Sequence, residues 1–141
     1  MLNIHHVALT AEKLERSSEF YDTILSVFGY TRHYTSDTVC SWVPPNGNVD
    51  TPELLVYAAK ENQQANRHKL YDPGIHHLCF RVESEEKVDS VYDAAQRMNA
   101  IILDAPADYD NYAKNVGSKR YYAVYFTDPD GIKLEFAWMP R

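Results

Sequence analysis

A short segment with two adjacent histidines occurs twice in the chain and constrains the fold more than any other feature. Its copies are Ile4-His5-His6-Val7-Ala8-Leu9 and Ile75-His76-His77-Leu78-Cys79-Phe80, and the second follows the first by 71 residues. At this offset, seven of the nineteen positions from residue 4 to residue 22 are identical to their counterparts. A repeat at about half the chain length predicts two copies of one structural module.

The composition fits one folded domain and argues against several classes of protein. A chain of 141 residues can bury a hydrophobic core. The net charge of −6 argues against a nucleic-acid-binding protein, which needs a basic surface. No apolar run approaches the roughly 20 residues of a membrane-spanning helix, and no basic segment followed by an apolar one indicates a secretory signal.

The two cysteines, Cys40 and Cys79, are too few for a disulfide framework. We therefore expect a reducing, cytoplasmic location. Cys79 is expected to be a small buried thiol.

The pattern of apolar residues predicts the order β-α-β-β-β in module one, about residues 1–59. Alternating residues indicate strands, and apolar residues spaced by three and four indicate helices. The predicted helix spans residues 14–28 and is capped by Gly29. The predicted strands span residues 4–10, 30–34, 38–43 and 53–59.

Module two, residues 74–141, repeats this order after a polar linker over residues 60–73, in which a short helix is expected near residues 61–66. Ser84 is the expected N-cap of a helix that ends near residue 98. The long stretch over residues 104–118, rich in Asp, Asn and Tyr, is expected to be a loop. The predicted strands span residues 75–82, 101–103, 121–126 and 132–138, so the chain is expected to be a single α+β domain over residues 1–141.

Period-two alternation places the two histidines of each repeat on opposite faces of a strand. His5 and His76 fall on apolar faces expected to pack on helices, whereas His6 and His77 fall on small and polar faces suited to a cavity. Glu135 likewise lies opposite the apolar side chains of the last strand. Two imidazoles and one carboxylate suit catalytic zinc or non-haem iron(II), and less specifically manganese, nickel or cobalt. A lone histidine is more often a core or surface residue, so this prediction depends on the repeat and the glutamate together.

Three features together resemble the vicinal oxygen chelate superfamily: the two modules, the histidines of their first strands, and the segment Asp128-Pro129-Asp130-Gly131-Ile132-Lys133-Leu134-Glu135. This group includes glyoxalase I, extradiol dioxygenases, fosfomycin-resistance thiol transferases and bleomycin-resistance proteins. The resemblance implies an open, curled mixed sheet, the glyoxalase/dioxygenase-like fold, around a divalent metal ion held by His6, His77 and Glu135. It also implies a homodimer in which each site is shared between modules of both chains.

One position departs from glyoxalase I, whose fourth ligand is a carboxylate on the last strand of module one. Aligning Tyr57 with Phe136 sets Val56 against Glu135, and valine can neither bind a metal nor take a proton. Glu53, at the start of the same strand, is a poor substitute. A three-ligand site, as in the thiol transferases and the dioxygenases, therefore fits this sequence better.

The resemblance implies two functions of different kinds. The first is a metal-dependent lyase, isomerase or ring-cleaving dioxygenase that acts on a small oxygen-chelating metabolite through a zinc, iron, manganese or nickel ion. The second is a metal-free protein of the bleomycin-resistance type, which binds a small drug in an aromatic crevice. Candidates for the general base are Tyr109, Tyr112 and Glu53. Tyr121 and Tyr125 could line a pocket or belong to the core.

Overall fold

The computed structural model describes residues 2–47, 51–63 and 66–140, which divide into two compact units. Unit one is Met1–Arg67 and unit two is His68–Arg141, so each unit contains one copy of the histidine repeat. Each unit has an open, mixed four-stranded sheet, and the predicted α+β class is confirmed. None of the helices in the described ranges is long and apolar enough to cross a membrane.

Unit one has the predicted order β-α-β-β-β. Its α-helix, α1, spans Leu14–Ser26, and the strands are β1 (His6–Ala11), β2 (Thr31–Thr35), β3 (Val39–Val43) and β4 (Glu53–Ala58). In the sheet the strands lie in the order β1-β4-β3-β2, with β1 parallel to β4 and the other pairs antiparallel. Gly29, at a φ of 76°, ends α1, because its N–H donates to Ser26 and that of Tyr30 donates to Leu25. The predicted cap is therefore confirmed.

Unit two repeats this sheet with one additional helix. Its elements are β5 (Leu78–Val82), α2 (Glu85–Arg97), β6 (Ile102–Asp108), α3 (Asp110–Val116), β7 (Tyr122–Thr127) and β8 (Lys133–Trp138). The strands lie in the order β5-β8-β7-β6, with β5 parallel to β8. As predicted, Ser84 caps α2, since its side chain accepts a hydrogen bond from the Lys87 N–H.

Each unit buries the apolar side of one helix against one face of its sheet, which leaves the other face available for chemistry. The buried apolar residues of α1 are Phe20, Tyr21, Ile24 and Leu25, and those of α2 are Val88, Val91, Ala94 and Ala95. The sheet side chains buried with them include Trp42, Leu54 and Val56 in unit one, and Val124, Phe126, Leu134 and Phe136 in unit two.

The predicted loop over residues 104–118 is wrong. β6 continues to Asp108, and α3 then occupies Asp110–Val116. β6 is the edge strand of its sheet and its pairing with β7 has two register shifts, which accommodates Pro106 and breaks the alternation expected of a strand. Most residues of α3 are exposed and polar. In the sequence, the helix is therefore indicated only by the spacing of Tyr109, Tyr112 and Ala113.

The first strand of each module begins later than predicted, at His6 and at Leu78. His5, His76 and His77 therefore precede the strands, and alternation does not govern their side chains. Both His5 and His76 are exposed, so their predicted place on a helix-facing side is wrong. In the linker, Glu61–Gln63 forms a 3-10 turn, while the rest of the predicted helix over residues 61–66 includes residues 64 and 65, which lie outside the described residues.

Candidate metal centre

Strands β5 and β8 lie side by side and bring His77 next to Glu135. In this parallel pair Cys79 is opposite Glu135, and His77 lies two residues before Cys79. The Nε2 atom of His77 lies 3.1 Å from the Oε2 atom of Glu135. Two of the three predicted metal ligands are thus in direct contact within unit two.

Glu135 is a buried carboxylate whose other oxygen is held by two tyrosines. Only 3% of the residue is exposed. The hydroxyls of Tyr121 and Tyr125 donate hydrogen bonds of 2.6 and 2.8 Å to Oε1. Burial, followed by the hydrogen bond to Glu135, raises the pKa of both tyrosines, so both remain protonated donors at neutral pH. With Oε1 occupied, Oε2 is the oxygen available to a metal ion.

This arrangement fits two neighbouring positions around a divalent cation. Ligand atoms with bonds of about 2.1 Å to one metal lie about 3 Å apart at adjacent positions. The separation of His77 Nε2 from Glu135 Oε2 agrees with that geometry. Imidazole and carboxylate together suit zinc, iron, manganese and nickel, and hydrogen bonds to a ligating carboxylate are the usual outer-shell support of such sites.

His6, the third predicted ligand, is the first residue of β1 in unit one and is exposed. Its Cα partner on β4 is Glu53. Across the described ranges, no group of three or more His, Cys, Asp or Glu side chains is arranged to hold a metal ion. The pair of His77 and Glu135 is therefore what the structure itself brings together.

Cys79 borders the pair but is not a thiolate. The residue is exposed rather than buried as predicted, and its Sγ lies 3.7 Å from the Tyr121 hydroxyl. Partial loss of solvent around the sulfur, followed by the charge of Glu135, raises the pKa of the thiol to about 12. At neutral pH the group is therefore a neutral thiol, which is a weak nucleophile.

The position in unit one that corresponds to Glu135 is Leu55, so the alignment with Val56 is wrong by one residue. Ala8 and Cys79 are equivalent in the repeat, and their partners on the neighbouring strands are Leu55 and Glu135. A shift of one residue moves a side chain to the other face of a strand, and Val56 is buried with the core. Leucine, like valine, cannot ligate a metal, so the expectation that this strand supplies no fourth carboxylate at that position is unchanged.

The two tyrosines predicted as catalytic, Tyr109 and Tyr112, lie one ring away from the hydroxyls that hold Glu135. They stack on each other at 5.6 Å, and their rings meet those of Tyr125 and Tyr121 edge to face at 5.5 and 5.6 Å. Burial raises the pKa of Tyr109, which disfavours the phenolate that a general base would need. The remaining candidate base, Glu53, lies in unit one at the start of β4.

A cavity of about 470 Å³ opens beside these stacked rings. Its lining is Tyr109, Asp110, Asn111, Tyr112 and Lys114. This volume is within the range of about 300–1,000 Å³ that is common for small-molecule sites.

The sequence alone does not reveal that the hydroxyls of Tyr121 and Tyr125 donate hydrogen bonds to Glu135. Tyr125 is the cross-strand partner of Glu135 in the β7–β8 pair. The alternation of Tyr121, Ala123 and Tyr125 indicates that both phenols share one face, but only the register of β7 with β8 places Glu135 on that face.

The Glyoxalase/Bleomycin resistance protein/Dioxygenase superfamily matches residues 3–136, and this protein belongs to that superfamily. The fold agrees, because the structure of a putative glyoxalase from Bacillus halodurans superimposes with a TM-score of 0.75 at 26% identity. That comparison covers 96% of this chain and 94% of the other.

Two relatives extend the similarity over nearly the same length. The metallothiol transferase FosB of Lysinibacillus sphaericus is 27% identical over 138 residues, which cover 95% of this chain and 80% of FosB. The uncharacterized protein YqjT of Bacillus subtilis is 28% identical over 132 residues, covering 94% of this chain and 95% of YqjT.

Proposed function

We propose that this protein is a divalent-metal-dependent enzyme that acts on a small metabolite with neighbouring oxygen atoms. The observation that carries the proposal is the pair in unit two, where Glu135 Oε2 lies 3.1 Å from His77 Nε2 while two tyrosines hold Oε1. Membership of the superfamily and the similarity to a metallothiol transferase support it. His6 is proposed as the third ligand, because it occupies in the first repeat the place of His77 in the second.

In this proposal, some residues of the site bind the cation and others contact the substrate. His77 and Glu135 would bind zinc, iron, manganese or nickel, and Tyr121 and Tyr125 keep the carboxylate in place. When bound, the cation would supply Lewis acidity that stabilises negative charge on a substrate oxygen. Burial raises the pKa of Tyr109, so its phenol stays protonated at neutral pH and is suited to donate a hydrogen bond to substrate rather than to act as a base.

Because Leu55 provides no carboxylate, fewer types of reaction are compatible with the proposed metal site. In glyoxalase I a fourth ligand at this place supports proton transfer, and leucine cannot replace it. We therefore favour reactions that need only three protein ligands, namely thiol transfer or ring cleavage, over the isomerase reaction of glyoxalase I. Cys79 is an unsuitable thiol donor because the pKa of its side chain is raised to about 12, so a transferred thiol would come from a second substrate.

The proposal includes a homodimer in the cytoplasm. The dimer follows from the resemblance to superfamily members of this size. The location follows from two cysteines that are both free thiols.

Metal analysis tests the enzyme proposal directly. Protein purified anaerobically without chelators is expected to contain, or to take up, zinc, iron(II), manganese or nickel. His77→Ala is expected to lose the metal and turnover in a subsequent substrate screen, whereas His33→Ala, at an exposed position of β2, is expected to keep both. Wild-type protein that takes up none of these four ions would contradict the proposal.

A metal-free binding protein of the bleomycin-resistance type is the second candidate, and the aromatic cluster favours it. Four tyrosine rings lie in successive contact near the cavity, namely Tyr109, Tyr112, Tyr121 and Tyr125. Such a wall could bind a planar drug by stacking. A binder would keep its affinity in His77→Ala, so the same variant separates the two functions.

A further inference from the structure

In both units, the histidine next to a predicted metal ligand is within hydrogen-bond distance of it through the imidazole Nδ1 atoms. His5 Nδ1 lies 3.0 Å from His6 Nδ1, and His76 Nδ1 lies 2.8 Å from His77 Nδ1. The rings also meet edge to face in both pairs, with centroids 5.3 and 5.0 Å apart. The same contact thus forms twice, on two separate sheets.

Core packing does not explain this contact. His5 and His76 are exposed, so water could satisfy their ring nitrogens without any partner. Both precede their strands, and in an extended strand adjacent side chains would point to opposite faces. The backbone before each strand instead lets the two rings turn toward one another.

The choice of nitrogen matters for metal binding. In His77, Nε2 is the atom that lies against Glu135, so Nε2 is the nitrogen that would bind a cation. A neutral imidazole that offers its Nε2 lone pair must carry its proton on Nδ1, and that proton needs an acceptor. His76 Nδ1 can accept it, and His76 then carries its own proton on Nε2. In the other pair, the contact with His5 likewise leaves Nε2 of His6 as the free nitrogen.

We propose that His76 and His5 are positioning residues, which fix the tautomer and the ring orientation of His77 and His6 through the Nδ1 hydrogen bond. This inference rests on the proposed function, because it assigns a role toward the metal ion. Metal-binding histidines usually donate their second N–H to a carboxylate, a backbone carbonyl or water. Here a neighbouring imidazole takes that place in both repeats.

Zinc affinity of full-length protein, measured by competition with a chelating dye, tests the role of His76. His76→Leu removes the acceptor and is expected to weaken zinc binding about 10–100-fold, the usual effect of losing an outer-shell partner. His76→Asn is expected to restore most of the affinity, because its side-chain carbonyl can accept from His77 Nδ1–H. His33→Leu, which removes an exposed histidine from β2, is the matched control and should bind zinc as the wild type does. Circular dichroism establishes that each variant is folded.

The outcomes separate the positioning role from the function on which it rests. If wild type binds zinc and His76→Leu binds equally well, the positioning role is overturned and the metal site stands. If His76→Asn is as weak as His76→Leu, the loss does not depend on an acceptor and the role is again overturned. Wild type that takes up none of zinc, iron(II), manganese and nickel in the same competition assay contradicts the proposed function, and the positioning role with it.

Proton–nitrogen correlation spectra of the zinc-loaded wild type give a readout that needs no variant. The expected tautomers are Nδ1–H for His77 and Nε2–H for His76. A His77 ring that carries its proton on Nε2 would mean that the metal binds through Nδ1 or not at all, and would overturn the assignment.

Discussion

Unit one and unit two have the same sheet, yet among the residues that the structure describes, only those of the second unit surround a buried carboxylate with hydrogen-bond donors. Leu55 occupies in unit one the position that Glu135 occupies in unit two. The faces around these residues also differ. In unit one, Leu55 is only partly buried and Tyr57 is exposed along β4, whereas the counterparts Glu135 and Ala137 in unit two are buried. In unit two, α3 contributes Ala113 to a small buried cluster with Tyr121, Ala123, Tyr125 and Ala137, and Tyr109 packs against this cluster.

The helix α3 lies in the connection between the second and third strands of its unit. Unit one joins β2 to β3 through residues 36–38, whereas unit two places α3 and its tyrosines between β6 and β7. The duplicated sheet is therefore a scaffold. Glu135 in place of Leu55, the tyrosines that donate to Glu135 and the additional helix α3 distinguish the second copy from the first. Two copies of one fold can therefore carry different side-chain chemistry on the same strands.

The largest expected difference between the units concerns the cores under α1 and α2. Ile24 is fully buried in α1, and Val91, which corresponds to Phe20 of α1 in the repeat, is fully buried in α2. Ile24→Ala should lower the free energy of unfolding by about 2–5 kcal/mol, because it deletes three buried carbons and leaves a cavity. Val91→Ala deletes two carbons and should cost less, about 1–3 kcal/mol. Urea denaturation measures both, and equal losses would contradict this ranking.

Removing the charge of Glu135 makes unit two resemble unit one, which has the uncharged Leu55 at this position. Glu135→Gln keeps the size of the side chain and an oxygen that can accept from the tyrosines, but it removes the charge. Metal affinity should fall by at least about 100-fold, beyond the loss typical of an outer-shell partner. Glu61→Gln, at an exposed position in the linker, is the control and should bind metal normally. Calorimetric titration with zinc measures both, and unchanged affinity in Glu135→Gln would exclude this carboxylate as a ligand.

A smaller effect is expected from one of the two phenols that hold Glu135. Tyr125→Phe removes one hydrogen bond to Oε1 and leaves that of Tyr121, so metal affinity should fall about tenfold. The matched control is Tyr122→Phe on the same strand, where the hydroxyl donates to Asp89 instead. Equal affinities for the two variants would show that the phenol of Tyr125 serves packing alone.

The sequence predicted the repeat, the order of the strands and of the two long helices, and the ends of those helices to within two residues, because these depend on local periodicity and capping. It could not predict α3, since exposed Asp and Asn residues hide the apolar spacing of Tyr109 and Ala113. It also misplaced the counterpart of Glu135. Residue similarity between β4 and β8 aligns Val56 with Glu135, whereas the strand pairing aligns Leu55 with Glu135. The contacts of Tyr121 and Tyr125 with Glu135 likewise require the cross-strand register, which no single segment encodes.

The smallest expected effect compares the arginine pairs at the surfaces of the two units. Each unit sets an arginine over a tryptophan ring, Arg32 over Trp42 at 5.7 Å and Arg120 over Trp138 at 5.2 Å. In unit one, Asp22 pairs with Arg32 and also accepts a hydrogen bond of 2.7 Å from the indole N–H of the buried Trp42. Asp22→Ala should therefore lower the free energy of unfolding by about 1–2 kcal/mol, since it leaves that buried donor unpaired.

Asp108 in unit two pairs only at the surface, with Arg120, so Asp108→Ala should lower Tm by no more than about 4 °C. The hydrogen bonds from Arg120 hold the pKa of Asp108 below its ordinary value of 3.8. A carboxyl group with a lowered pKa in the folded state stabilises the protein above its unfolded pKa and loses that contribution as the pH falls through the folded value. The Tm difference between wild type and Asp108→Ala should therefore be present at pH 7 and disappear in strong acid. A difference that grows as the pH falls would contradict the assigned ion pair.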